Sequence, residues 1–150
     1  MIDVKTRIIL LIIFFLTYLY YHINLSKPNK VCLCTIGKKE NLYAREFINH
    51  YQKLGINKIF IYDNNEKNGE KFDLVLKDFI GNGLVDIIDF RGKEAPQIKA
   101  FEDCRKKNFK KFDWLIFFDM DEFLFLRNYS HIQDYLNQMH FNKCQVIRLT

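Results

Sequence analysis

The stretch "FFDMDEFLFL", residues 117–126, sets Asp119, Asp121 and Glu122 into an otherwise apolar run. An unpaired carboxylate buried in such a run would cost several kcal/mol or take up a proton, so the acids are expected where a strand ends and a ligand begins. Two carboxylates separated by one residue suit a hard divalent ion, Mn²⁺ or Mg²⁺. Such an ion takes oxygen ligands, keeps positions open for phosphate, and neutralises charge on a diphosphate leaving group. A calcium loop of the EF-hand kind does not fit, because Phe123 and Leu124 stand where an oxygen ligand and the turn glycine belong. Glu122 follows directly, and strand alternation turns it away from Asp121, which favours a structural hydrogen bond over a role as catalytic base.

Other polar residues fall at comparable places. Thr35 is read as closing a first strand, and Asp63 with Asn64 and Asn65 as closing a second. Arg91 follows a third strand; a diphosphate contact is weighed for it, and it is not taken as a site residue. No G-x-G-x-x-G follows the first strand and no G-x-x-x-x-G-K-[ST] occurs, so neither a nicotinamide fingerprint nor a phosphate loop is supported.

The elements that must position these residues alternate. Strands are predicted over 30–36, 58–63, 84–90, 113–119 and 144–149, and helices over 41–54 and 70–80, from Pro96 to Phe109, and from Ser130 to Met139. Tyr43, Phe47, Tyr51 and Leu54 form the apolar stripe of the first of these helices, which Gly55 stops. Pro96 suits a first helical turn, and Ser130 with Gln133 has the spacing of a capping box. Consecutive β-α-β units imply an α/β fold with a mostly parallel sheet and helices on both faces, which binds ligands outside the carboxyl ends of its strands.

Residues 8–26, "IILLIIFFLTYLYYHINLS", carry no formal charge and are long enough to cross a bilayer once. No small-x-small cleavage site follows, and no alanine precedes Ala44. The expectation is an uncleaved membrane anchor with a short tail at 1–7, a linker at 27–30 around Pro28, and one domain over 31–150. Lys5 and Arg7 favour a cytoplasmic N-terminus, although Lys27, Lys30, Lys38 and Lys39 nearly cancel that bias. The 49% hydrophobic content is ample for a core in a chain of 150 residues. The formal charge of +5 is discounted, since the chain is rich in Lys, Asn, Ile, Phe and Tyr and poor in Ala throughout. The basic run "CRKKNFKKF" reads as a solvated helix face, not a nucleic-acid surface. Cys32, Cys34, Cys104 and Cys144 lack zinc-finger spacing and disulfide-scaffold density and are read as small buried thiols. His50 and His140 are read as isolated surface or half-buried residues. Asn128-Tyr129-Ser130 is a glycosylation sequon whose use depends on a lumenal location.

"KKENLYAREFINHYQKLGINKIFIYDNN", "QIKAFEDC" and "FDWLIFFDMDEFL", in this order and spacing, resemble the nucleotide-sugar-binding half of family-92 glycosyltransferases and their family-2-like relatives over about residues 31–150. The resemblance implies a GT-A fold, a nucleotide-diphosphate sugar donor (UDP-linked), a glycan acceptor and inverting transfer; with the anchor, a eukaryotic chain of this kind is expected to be a Golgi-type membrane enzyme. It places Asp63 by the base or ribose, Asp119 at the ribose or metal, and Asp121 on the metal; Thr35, from its place at a strand end, is read as a further contact to the nucleotide sugar. The family usually has a serine after "DN", where this chain has Asn65 and Glu66. The resemblance also implies a second half carrying the acceptor site and catalytic base, so the chain is expected to be truncated at its C-terminus. The alternative is a non-catalytic, membrane-anchored α/β domain that binds a nucleotide or a partner.

Overall fold

The computed structural model describes residues 4–25, 29–138, 141 and 145–148. Its centre is β1 (Val31–Gly37), whose sequence VCLCTIG is apolar on both faces and is buried along nearly its whole length. Burial on both faces is what a central strand of a parallel sheet requires. It pairs in parallel with β2 (Lys58–Asp63) on one side and β4 (Trp114–Phe117) on the other, while β3 (Val85–Asp89) pairs with β2. The order is β3-β2-β1-β4.

Period-two alternation along β1 divides the core. Val31 and Leu33 join Ile59 and Ile61 against α2 (Asn41–Lys53), α3 (Phe72–Val75), α4 (Lys77–Gly81) and α6 (Ile132–Leu136). Cys32, Cys34 and Tyr62 meet Ala100 and Cys104 of α5 (Pro96–Asn108) on the opposite face. Helices therefore cover both faces, as the β-α-β pattern requires.

α2 buries Ala44, Phe47, Ile48 and Tyr51, and the chain turns at Gly55 with φ +86°, a left-handed conformation that a side chain would strain. The single helix expected over 70–80 is two, because Leu76 leaves helical geometry at φ −118°, ψ 20° and is fully buried. The expected capping box does not form. His131 is the N-cap of α6, and the Gln133 side chain instead donates to the Gly55 carbonyl. α6 ends at Leu136, and Met139 and His140 lie outside the described residues. Residues 145–148 are not in a strand, so no fifth strand is present among the described residues; Cys144 and Leu149 lie outside them.

The reading of the cysteines as thiols is corrected. Cys34 and Cys104 form a disulfide across a Cα–Cα distance of 6.4 Å, tying the central strand to α5. Spacing could not reveal it, since 70 positions separate the partners and only the fold brings them together. Cys32 is a buried free thiol, and burial pushes its pKa up to about 12.

α1 (Val4–Leu25) encloses most of the uncharged run, and its described side chains from Lys5 to Tyr20 are all exposed instead of packed on the sheet. Among the described residues no helix is long and apolar enough to cross a membrane. Ser26, Lys27 and Pro28, where the anchor was expected to end and the linker to begin, lie outside them.

Candidate functional site

All four strands are parallel, so the loops that follow β1, β2, β3 and β4 gather at one end of the sheet. β4 stops at Phe117, not at Asp119, and the chain enters a turn at Met120 and Asp121. Asp119 and Asp121 are thereby carried beyond the sheet, out of the apolar interior that would penalise their charge.

The turn closes on itself. The Asp119 backbone N–H donates to Glu122 Oε2 at 2.9 Å, and the Glu122 N–H donates to the Asp119 carbonyl at 3.1 Å. Glu122 therefore has the structural role expected of it, for a different reason: a turn, and not strand alternation, sets its direction. Gln97, in the first turn of α5, donates from Nε2 to Asp119 Oδ1 at 2.8 Å. That bond fixes one carboxylate oxygen and leaves Oδ2 available. Asp121 is exposed and makes no side-chain hydrogen bond or ion pair with the described residues.

What holds the turn down lies on its inner side. Met120 is buried and packs over Gly37 at the end of β1. A Cβ on Gly37 would lie 2.8 Å from Met120 Sδ and 2.7 Å from Phe72 Cζ, so only glycine lets the turn seat this close. Further along, the Tyr51 hydroxyl donates to the Glu122 carbonyl at 2.8 Å and accepts the Leu124 N–H at 3.1 Å. His50 Nε2 lies 2.9 Å from the Leu124 carbonyl oxygen. Burial pushes the Tyr51 hydroxyl up to about pKa 12, so at ordinary pH it keeps the proton that this clamp uses. Phe123 packs edge-on against His50 and Phe47, at 5.1 and 5.9 Å between ring centres.

The β2 end is built differently. Asp63 is fully buried, with Oδ1 accepting the Asn65 N–H at 2.9 Å and Oδ2 accepting Arg91 Nη2 at 2.6 Å and Nε at 3.2 Å. Asn65 Oδ1 in turn accepts the Lys39 N–H at 2.7 Å, where Lys39 takes a left-handed φ of 63°. Asn64 N–H reaches the Gly37 carbonyl at 3.0 Å. The loops after β1, β2 and β3 are thus knitted by Asp63, Asn65 and Arg91. The Asp63 hydrogen bond, opposed by desolvation, holds the Arg91 guanidinium above its usual pKa.

Thr35 does not close its strand, because β1 runs two residues further, to Gly37. Its side chain is fully buried, and Thr35 Oγ1 and Asn65 Nδ2 are buried polar atoms without a hydrogen-bond partner among the described residues. Orphaned buried polar atoms are uncommon, and both belong to the segments that end at the site. Thr35, Asp63, Asp119 and Asp121 are therefore brought to one end of the sheet in two settings. Thr35 and Asp63 are interior, while Asp119 and Asp121 are on the rim.

No group of three or more His, Cys, Asp or Glu side chains is gathered for a metal ion among the described residues. A pair of carboxylates is nevertheless what Mg²⁺ uses when substrate phosphates and water complete its shell. With one open oxygen on Asp119 and an unengaged Asp121, the residues present fit such an ion. Sequence reasoning missed Gln97 and Tyr51 as positioning residues. Gln97 lies inside the motif "QIKAFEDC", the available signal; nothing local distinguished Tyr51 from a core aromatic.

Residues 27–149 match the profile of glycosyltransferase family 92. The chain belongs to this family. Family-92 proteins of Ricinus communis and Oryza sativa subsp. japonica are 27% identical over 113 residues and 28% identical over 112 residues. These alignments cover 73% of this chain but only 19% and 18% of the relatives. A family-92 protein of Arabidopsis thaliana is 28% identical over 99 residues, covering 65% of this chain and 16% of its own length. The chain thus spans less than a fifth of the curated family-92 relatives it matches. No solved structure matches it.

Proposed function

We propose that this chain forms the donor-binding part of a membrane-anchored, metal-dependent glycosyltransferase. It takes a sugar from a nucleotide-diphosphate donor, UDP-linked, and the sugar passes to a glycan acceptor with inversion. The observation that carries the reading is the Asp119–Asp121 turn. One carboxylate is steered by Gln97 and the other is unengaged, beyond the carboxyl end of a parallel strand where such sheets take ligands.

In this reading Asp119 and Asp121 hold Mn²⁺ or Mg²⁺, which when bound would neutralise the charge of the leaving diphosphate. Gln97 orients Asp119, Glu122 fixes the turn, and Tyr51 with Gly37 sets its height. Asp63 and Arg91 shape the loop beside the nucleotide. Asp63 acts as a positioning residue, since both its oxygens are already committed within the protein. Thr35 Oγ1 and Asn65 Nδ2 supply hydrogen-bonding capacity on the inner side of that loop. No residue of this chain is assigned as the catalytic base.

α1 is the membrane anchor in this reading, with the N-terminus cytoplasmic and the α/β domain lumenal, in a Golgi-type arrangement. The uncharged run at 8–26 supports the anchor, and the Cys34–Cys104 disulfide supports an oxidising compartment for the domain.

The test is metal-dependent capture of the donor. Membranes from cells expressing the full chain are stripped of divalent ions and supplied with labelled UDP-hexoses, with and without Mn²⁺. Label should be retained above background only with the metal and be lost in Asp121→Asn. Equal retention in the presence of a chelator, or no retention with Mn²⁺, would contradict the reading.

A further inference from the structure

A tripeptide outside the acid turn is left unused by the reading above. Asn128-Tyr129-Ser130 has the acceptor pattern N-x-S with a residue other than proline in the middle. Residues 127 and 128 form a turn between the rim acids and α6, and Asn128 and Ser130 are exposed. Tyr129, between them, is half-buried, with its ring centre 5.7 Å from that of Tyr135 of α6. The tripeptide is thus anchored by its central ring while its two chemically required positions stay open to solvent. The folded domain can carry a bulky hydrophilic group there without burying it.

The second observation is independent of the turn. Cys34 and Cys104, both fully buried, are joined as a disulfide between β1 and α5. Such bonds form and persist in the oxidising compartments of the secretory route and are rare in the cytosol, and that route is where N-glycosylation takes place. A sequon in a cytosolic domain means nothing; one in a disulfide-bonded domain following an apolar helix is in the right place for use.

We infer that Asn128 carries an N-linked glycan. The co-reactant is a preassembled oligosaccharide on a lipid diphosphate. The Asn128 side-chain nitrogen forms a C–N bond to the anomeric carbon, the C–O bond to the diphosphate breaks, and one amide proton is lost as the lipid diphosphate departs. The other sequon, Asn24-Leu25-Ser26, begins inside the last turn of α1, at the end of the apolar run, and is not used. The inference rests on the topology in the reading above, and not on its transfer chemistry.

The full chain is translated in the presence of secretory-pathway microsomes and treated with peptide N-glycosidase F. The expected result is a single mobility step removed by the glycosidase. That step should be absent in Asn128→Gln and in Ser130→Ala, and kept in Asn24→Gln and in Ser130→Thr, which restores a hydroxyl at the third position. A wild-type chain with no glycosidase-sensitive step, or a step that survives Asn128→Gln, would overturn the inference. Donor binding is read separately on the same membranes. A glycosylated chain that retains no labelled UDP-hexose would count against the donor-site reading alone, and an unglycosylated chain that retains it against this inference alone.

Discussion

At the residue scale, two aspartates that look alike in sequence have opposite surroundings. Asp63 is buried and saturated by Arg91 and the Asn65 N–H, whereas Asp121 is exposed and unengaged. A ligand can use the second without dismantling anything, while removing the first would leave the Arg91 charge and two loops without their tie. The residue that makes the acid turn possible carries no functional group. Gly37→Ala would place a methyl within 3 Å of Phe72 and Met120, both buried. Overpacking of this kind costs about 1–3 kcal/mol, and the turn would have to lift. Denaturant unfolding of the variant should give a stability lower by about that amount, together with weaker metal-dependent UDP binding; an unchanged midpoint and affinity would show that the seat is not tight. The rim acids were legible in the sequence because charge interrupts an apolar run. The fate of Asp63 was not, since its partner Arg91 is on another strand's loop and no local pattern links them. Thr35 was placed at a strand end because it is polar, but backbone pairing continues through Ile36 and Gly37, and a buried central strand tolerates one hydroxyl.

At the element scale, the sheet positions the site and the helices fix its two flanks. α2 holds the far side of the acid turn through Tyr51, and α5 holds the near side through Gln97. α5 is itself stapled to β1 by Cys34–Cys104. With the partners 70 positions apart in sequence, loss of the crosslink should cost roughly 2–4 kcal/mol through the freedom regained by the unfolded chain. The oxidised and fully reduced chains should differ by that much in guanidinium unfolding. Equal midpoints would mean that the crosslink forms no part of the folded population. Apart from the strand expected over 144–149 and the helix over 70–80 that proved to be two, strands and helices were legible in order and in approximate extent because their apolar periods are strong, and the β-α-β alternation dictated parallel pairing. Their ends were less so. Leu76 breaks a continuous helical stripe to bury its own side chain, and Gln133 is drawn from the cap of α6 to the Gly55 carbonyl by tertiary packing. Ends decided by such non-local contacts leave no signature in a window of sequence.

At the scale of the whole molecule, an apolar helix precedes an α/β domain that carries an acid turn on its rim. In the anchor reading proposed above, the exposed apolar side chains of α1, Ile8 to Tyr20 among them, would pass from water into lipid. The expressed chain should stay in the membrane fraction after carbonate washing, and a soluble product beginning near residue 27 would show instead that the helix is a cleaved leader. In the proposed reading Asp119 and Asp121 would hold a divalent ion that neutralises the donor diphosphate. Calorimetric titration of UDP into the full chain in detergent, with Mn²⁺ and again with a chelator, tests it most directly. Binding should be measurable only with the metal, should be largely lost in a folded Asp121→Asn variant, and should change least in Glu122→Gln. Equal UDP affinity in the presence of chelator, or undiminished binding in Asp121→Asn, would contradict it.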